Sequence, residues 1–155
     1  MTGVAPEPLR RRFLAETGYV TAKVGADAAI FDDRDRILLV RRADDGKWGL
    51  VSGWVDPNET PEQTVVREIA EEIGARGRVV GFVGLFARPA GTETPHGVVS
   101  AVYLCELETH DFTVQPHEVL EVGWHDVERV HDWHHAHGLW ARAAREAWWR
   151  RRAGL

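Results

Sequence analysis

The stretch GWVDPNETPEQTVVREIAEEIGA, residues 53–75, carries the strongest structural signal in this chain. Thr60 can act as the N-cap of a helix, Pro61 suits the first helical position, and Gln63 completes a T-x-x-Q capping box. Gly74 stands where such a helix would end. Apolar residues recur at helical spacing between these signals, at Val65, Val66, Ile69 and Ile73. We therefore predict a helix that begins at Pro61 and ends before Gly74.

The polar face of this predicted helix carries three carboxylates beside an arginine, as Arg67, Glu68, Glu71 and Glu72. Residues three and four apart are neighbours on a helix, so Glu68 faces both Glu71 and Glu72. Like charges repel one another, and such a row becomes favourable where it holds a hard cation that prefers oxygen ligands, such as Mg²⁺. The alternative interpretation is a solvated acidic face, which is what most runs of charge are.

Hydrophobic patterning and turn residues predict the elements on either side of this helix. Strands are predicted over residues 22–33, 36–42, 77–88, 97–108 and 119–126. Loops are predicted over residues 43–60 and 89–96. Further helices are predicted over residues 7–16, 127–136 and 139–152. This order of elements predicts an α/β fold in which helices cover both faces of a mixed sheet.

Length and composition suggest one domain over residues 1–155, with an N-terminal extension over 1–19 and a C-terminal helix over 139–152 that could support a homodimer. The net charge of -5 argues against a non-specific nucleic-acid binder. No apolar run approaches the ~20 residues that span a bilayer, and no secretory signal is expected. The one cysteine, Cys105, lies in an apolar run and predicts a buried thiol and a cytoplasmic setting.

The spacing of fixed positions in residues 53–75 resembles the signature of the Nudix hydrolase superfamily. That signature is a glycine, five residues, a glutamate, seven residues, and then Arg-Glu-aliphatic-x-Glu-Glu-x-Gly-aliphatic. Gly53, Glu59 and Gly74 match its fixed positions outside the arginine and glutamate cluster, and Ala75 is smaller than the usual last aliphatic residue. The resemblance implies an α/β/α sandwich with a mixed β-sheet, in agreement with the order of elements.

The resemblance also implies roles for the matching residues. Glu68, Glu71 and Glu72 would bind Mg²⁺, for which Mn²⁺ can substitute, with Glu68, Glu72 and Arg67 in the catalytic group. Arg67 and Glu59 would position the loop and the catalytic helix. The glycines would be structural, Gly53 giving the loop its turn and permitting close backbone approach, and Gly74 ending the helix.

The activity that the resemblance implies is hydrolysis of a phosphoanhydride bond by water. A carboxylate must take the proton from that water. The candidates are Glu72, Glu118 and Glu121, and the run from Glu121 to Trp124 resembles the family's final strand, where a glutamate often reaches the metal. Arg41 and Arg42 could meet phosphate. Two further candidates for contact with the substrate are Trp54 and Arg88.

The expected substrate is a small molecule, a nucleoside diphosphate linked to another moiety in the manner of ADP-ribose, NADH or a nucleotide sugar. This chain has Leu50-Val51-Ser52-Gly53 where many members have Leu-Pro-Gly-Gly, which looks closer to members acting on dinucleotides. One alternative is a nucleoside triphosphate pyrophosphohydrolase that acts on ordinary or oxidised nucleotides. Another is a nucleotide-sensing module without catalysis, which would be expected to lose box glutamates or Arg67.

A cluster of histidines precedes Gly138, at His131, His134, His135 and His137. Imidazoles at helical spacing are common zinc ligands, so the cluster could hold zinc. We favour the alternative that these histidines end a helix just before Gly138, where they would meet the negative end of its dipole. No cysteine accompanies them.

Overall fold

The computed structural model describes residues 21–88 and 97–155, together with four positions nearer the N-terminus, 7, 8, 11 and 15. The helix predicted over residues 7–16 falls mainly outside this set. The loop predicted over residues 89–96 falls wholly outside it.

The described chain has four strands, a helix, three strands and a final helix, close to the predicted order. The strands are β1 (Lys23–Ile30), β2 (Ile37–Arg42), β3 (Trp48–Gly49), β4 (Val51–Trp54), β5 (Gly77–Arg88), β6 (Val98–Leu107) and β7 (Val119–His125). The helices are α1 (Pro61–Ile73), a 3₁₀ turn (Val127–Arg129) and α2 (His137–Arg152). Among the described residues, neither helix is long and apolar enough to cross a lipid bilayer.

The strands form two sheets. The larger sheet has the order β4-β1-β6-β5, with β1 and β6 parallel and the other pairs antiparallel. The smaller sheet has the order β3-β2-β7 and is antiparallel. The predicted α/β class with a mixed sheet is confirmed. The prediction of one loop over residues 43–60 is wrong in part, because β3 and β4 pair with β2 and β1 there.

Successive side chains of the parallel strands β1 and β6 point to opposite faces of the sheet and pack in two separate cores. On one face, Ala101 and Tyr103 of β6 pack in the same core as Ile69 of α1. On the other face, Val102 and Leu104 pack in the same core as Trp140 of α2. The two helices therefore cover opposite faces of the larger sheet, as predicted. Cys105 is buried in the core beneath α1, which confirms the predicted buried thiol.

Helix α1 begins and ends where its sequence signals predict. The Thr60 hydroxyl accepts from the Gln63 backbone N–H at 3.2 Å, and the Gln63 side chain accepts from the Thr60 N–H at 2.8 Å. Gly74 ends the helix with a φ of 66°, which favours glycine, and its N–H donates to the Ala70 carbonyl. A Cβ at Gly74 would also lie 2.9 Å from the Thr113 carbonyl oxygen, so packing adds to the requirement.

The helix predicted over residues 127–136 is wrong. Only the 3₁₀ turn forms there, and α2 begins at His137 and runs through Gly138. Gly138 lies in the first turn of α2 and not at a helix end. Its lack of a side chain leaves room for the Trp133 ring, which a Cβ there would approach to 2.9 Å. His137 therefore lies at the positive end of α2, and the expectation that these histidines meet the negative end of a helix dipole is wrong.

Replacing Gly138 with alanine tests this packing role. In an open helical position, alanine would stabilise the protein by about 0.5–1 kcal/mol relative to glycine. Because the added methyl group would collide with Trp133, we expect a loss of about 1–3 kcal/mol instead. Urea unfolding followed by circular dichroism measures the difference, with Leu139→Ala as an exposed neighbouring control. A Gly138→Ala protein at least as stable as the wild type would remove the packing explanation.

Candidate active site

An open cleft of about 300 Å³ lies between the edge of the larger sheet, helix α1 and the start of α2. Strand β4 and helix α1 bring Gly53, Glu68 and Glu72 to it. Arg42 at the end of β2 and Glu118 just before β7 also line it. The cleft thus gathers carboxylates and basic side chains from distant parts of the sequence.

Arg67 ties the preceding loop to helix α1. Its Nε and Nη2 atoms donate to the two carboxylate oxygens of Glu59, at 3.0 and 2.9 Å. Nη2 also donates to the Trp54 carbonyl at 3.2 Å, and Nη1 donates to Glu68 Oε1 at 2.7 Å. The hydrogen bonds from Arg67, and then the one from the Thr64 hydroxyl, lower the pKa of Glu59 to about 2, so Glu59 is ionised at neutral pH. Arg67 and Glu59 are thus in direct contact, and their role in positioning the loop and the helix stays a prediction.

Gly53 allows Glu68 to lie against strand β4. A Cβ built on Gly53 would overlap the carboxylate of Glu68. The absence of a side chain is therefore what lets helix α1 present Glu68 to the cleft.

Glu72 is the most enclosed carboxylate of the helix and lies on the floor of the cleft. It is 5% exposed, and its Oε2 accepts a hydrogen bond from the Ser52 backbone N–H at 3.3 Å. Burial first, and then the charge of Glu68, raise the pKa of Glu72 to about 8. Burial likewise raises the pKa of Glu68, and the charges of Glu71 and Glu118 add to that effect.

These carboxylates fit a divalent cation. Burial and mutual repulsion make the ionised pair of Glu68 and Glu72 unfavourable, and a hard cation between oxygen ligands would offset both effects. Glu71, the third predicted ligand, lies apart. Its side chain is 55% exposed, it accepts from Arg67 Nη1 at 2.9 Å, and it does not line the cleft. A metal-binding role for Glu71 stays a prediction.

A second group with metal-ligand chemistry includes two residues that line the cleft, Asp44 and His134. Among the described residues, Asp44, Asp45 and His134 place three candidate ligand atoms within 4.8 Å of one another. The Asp45 carboxylate and His134 Nδ1 are 2.6 Å apart, and Asp44 pairs with Arg42, which lowers the pKa of Asp44 to about 2. Each of the three thus already has a partner, whereas the one hydrogen bond to Glu72 from the described residues comes from a backbone N–H.

The predicted substrate contacts divide between the cleft and the surface. Arg42, Trp54 and Arg88 line the cleft. Arg41 does not, because neighbouring residues of a strand point to opposite faces. Its Nε donates to the Gly46 carbonyl and its Nη1 lies 3.9 Å from Glu121 Oε2.

The two candidate bases beyond the helix are likewise separated. Glu118 lines the cleft, and its charge acts on both Glu68 and Glu72. Glu121 pairs with Arg41 across β7 and β2, and it does not line the cleft. A catalytic role for Glu121 stays a prediction, while position favours Glu118.

Two polar side chains on the floor of the cleft were not predicted as site residues. They are Asp27 in β1 and Ser100 in β6, both buried and both lining the cleft. A signal for Asp27 was available, because it is a carboxylate within the small apolar run Ala26 to Phe31 of a predicted strand. Ser100 gave no such signal.

Known proteins resemble this chain in sequence. The ADP-ribose pyrophosphatase of Methanocaldococcus jannaschii is 34% identical over 92 residues, which is 57% of this chain and 53% of that protein. The chain spans about half the length of the curated relatives it matches.

Solved structures extend the likeness to most of the fold. A MutT NUDIX hydrolase from Burkholderia pseudomallei is 30% identical with a TM-score of 0.69, covering 81% of this chain and 97% of that one. An ADP-ribose pyrophosphatase from Streptococcus suis is 27% identical with a TM-score of 0.69, covering 82% and 92%. The family model of the NUDIX domain matches residues 21–145. With the signature over residues 53–75 and this match across most of its length, the chain belongs to the Nudix family.

Proposed function

We propose that this protein hydrolyses the phosphoanhydride bond of a nucleoside diphosphate linked to another moiety, in a reaction that requires Mg²⁺. The observation that carries the proposal is the pair of buried carboxylates, Glu68 and Glu72, at the floor of a cleft that basic side chains also line. All the arginine and glutamate positions of the family signature are present. That argues against a module that senses nucleotides without cleaving them.

Within this proposal each part of the site has a separate task. Glu68 and Glu72 would hold the cation, which when bound supplies charge stabilisation at the phosphoryl oxygens. Arg67 holds the carboxylate of Glu68 and the Trp54 carbonyl in place. Arg42 and Arg88 bring positive charge to the cleft, where they would bind the outer phosphate oxygens. Trp54, 48% exposed at the end of β4, offers a surface on which a base can stack.

Glu118 is the proposed general base, because it lines the cleft and is partly open to water. Glu118→Gln should lower kcat by about 10²–10⁴-fold with little change in KM, since the base acts on the chemical step. Glu121→Gln is the matched control, the same change on the same segment outside the cleft. Steady-state kinetics on both variants decides the assignment. A larger loss of kcat in Glu121→Gln would return the role to Glu121, and a loss in neither would return it to Glu72.

The substrate class rests on two lines of support. Relatives whose names give ADP-ribose as substrate match this chain in sequence and in structure. The cleft is lined by two arginines and by the half-exposed Trp54, which suits two phosphates joined to a planar base. We propose a small nucleotide derivative rather than a nucleic acid, consistent with the net charge of -5.

The test is a panel of nucleotides incubated with Mg²⁺, with Mn²⁺ and with a chelator, the products being separated by chromatography. The panel holds ADP-ribose, NADH, a nucleotide sugar, dGTP and 8-oxo-dGTP. We expect metal-dependent release of a nucleoside monophosphate and a second phosphorylated fragment from a diphosphate-linked compound. Release of pyrophosphate from a triphosphate would support the alternative enzyme. Binding of a nucleotide without any turnover would support a sensing module.

A further inference from the structure

The floor of the cleft holds a second buried polar pair that the proposed metal site does not use. Asp27 projects from β1 and is 1% exposed, and His137, the first residue of α2, is 5% exposed. Both line the cleft. Asp27 Oδ1 and His137 Nε2 are 3.7 Å apart, which is too long for a direct hydrogen bond.

The fold fixes which nitrogen of His137 carries the proton. The Leu50 backbone N–H donates to His137 Nδ1 at 3.0 Å, so Nδ1 is the acceptor. Burial holds the pKa of His137 well below its ordinary value, and the ring is neutral. A neutral imidazole with an unprotonated Nδ1 carries its hydrogen on Nε2. The Nε2–H is therefore a fixed donor beside the cleft, and no acceptor lies within hydrogen-bond distance of it in the described residues.

Asp27 supplies the complementary acceptor. Within the described part of the chain, its Oδ2 atom is enclosed without a hydrogen-bond partner. Burial raises the pKa of Asp27 to about 7, and the side-chain hydrogen bond from Ser100 and the charge of Arg42 offset only part of that cost. A bound group that donates to Asp27 would remove part of that cost.

We propose that Asp27 and His137 form a recognition site for one uncharged group of the substrate that can both accept and donate a hydrogen bond. The group accepts from His137 Nε2–H and donates to the Asp27 carboxylate. A sugar hydroxyl has this chemistry, and so does the edge of a nucleobase that carries an amino group beside a ring nitrogen. This inference rests on the proposed function and assigns part of substrate selection in the cleft to Asp27 and His137.

The neighbouring charges exclude the other classes of ligand. A phosphate group placed directly against Asp27 would meet a buried carboxylate and be repelled, so phosphates belong with Arg42 and Arg88 in the rest of the cleft. A cation would meet the hydrogen on His137 Nε2, and the one free electron pair of the ring, on Nδ1, is already occupied by the Leu50 N–H. A site built to hydrogen-bond a substrate group rejects analogues that lack it, since its own buried polar atoms would stay unpaired.

Two substitutions separate this role from a structural one. Asp27→Asn replaces the carboxylate with an amide of the same shape. His137→Asn leaves an oxygen near the position of Nδ1 to accept from the Leu50 N–H, while it removes the Nε2–H donor. Asp33→Asn and His131→Asn are matched controls, because they make the same exchanges at exposed positions outside the cleft.

The experiment is calorimetric binding of four probes to the full chain. The probes are AMP, 2′-deoxy-AMP, 3′-deoxy-AMP and purine riboside 5′-monophosphate, which lacks the amino group of adenine. We expect the wild type and both controls to prefer AMP over one of the analogues by at least about tenfold. We expect Asp27→Asn and His137→Asn to lose that preference while they bind the weaker analogue as the wild type does.

Each outcome decides the proposal. Loss of preference against a deoxy analogue identifies a sugar hydroxyl, and loss against purine riboside 5′-monophosphate identifies the base edge. Absence of binding, equal binding of all four probes by the wild type, or a preference unchanged in both variants overturns the proposal. Because no turnover is needed, a chain that shows the preference but hydrolyses nothing would contradict the proposed function and leave this site standing.

Discussion

Glu72→Gln is expected to lower turnover by about three orders of magnitude, because it removes the most enclosed carboxylate proposed to hold the metal. Charge stabilisation by a bound cation supplies several kcal/mol to phosphoryl chemistry, and each 1.4 kcal/mol is about tenfold in rate. The glutamine keeps the shape of the side chain and can still accept from the Ser52 N–H. Initial rates at saturating Mg²⁺ and saturating substrate measure the effect.

Glu71→Gln is the matched control for this variant. It makes the same change one residue earlier, at a side chain that is half exposed and held by Arg67 outside the cleft. We expect it to lose far less activity than Glu72→Gln. Near-full turnover in Glu72→Gln would contradict the assignment of Glu72 to the metal site.

Glu72→Gln should also be more stable than the wild type when metal is absent and the pH is high. The pKa of Glu72 is raised from 4.5 to about 8, so between these values the folded protein holds a proton that the unfolded chain releases. Stability from this group is therefore full below about pH 4.5 and is lost as the pH rises to 8. We expect Glu72→Gln to gain about 2–4 kcal/mol at pH 9 and little at pH 4.5. Urea unfolding in EDTA at both values measures this gain, and equal stability at pH 9 would contradict it.

Gly53→Ala should also abolish most activity, by about 10²-fold or more, although it changes no charged group. The new methyl group would occupy the space of the Glu68 carboxylate, so that Glu68 must move away from the cleft. Displacement of a positioned group by about 1 Å can cost 10²-fold in rate. Turnover and Mg²⁺ affinity should fall together, because both depend on the position of Glu68.

Gly81→Ala is the control for the added methyl group. Gly81 lies in β5 away from the cleft, and a Cβ there would meet Leu104 at an ordinary contact distance of 3.5 Å. We expect its activity to be close to that of the wild type. Activity in Gly53→Ala equal to that of Gly81→Ala would show that Glu68 does not need its observed position.

Local signals were sufficient for the elements that carry the chemistry. The capping box and Gly74 are read within a few residues, and they predicted both ends of α1. The glutamates of α1 were predicted for the same reason, since the helical repeat sets which of them are neighbours. Cys105 was likewise placed by its apolar surroundings alone.

Contacts between distant segments decided what the sequence did not predict. Strands β3 and β4 are too short to show alternation, and they exist because β2 and β1 offer edges to pair with. Over a shorter span, Gly138 reads as a helix end because the sequence does not show the turn at residues 134–136 that brings the Trp133 ring against it. The proximity of Asp27 in β1 to His137 in α2 depends on residues more than a hundred positions apart, and no local pattern indicates it.

The proposed metal site at Glu68 and Glu72 is tested most directly by measuring Mn²⁺ binding to the full chain. Electron paramagnetic resonance detects the bound ion in the wild type, Glu72→Gln and Asp45→Asn. Mn²⁺ takes the same oxygen ligands as Mg²⁺ and is visible to the method. We predict that Glu72→Gln weakens binding by about tenfold or more and that Asp45→Asn leaves it nearly unchanged. Loss of binding in Asp45→Asn with full binding in Glu72→Gln would place the metal at Asp44, Asp45 and His134 instead, and would contradict the active site proposed at Glu68 and Glu72.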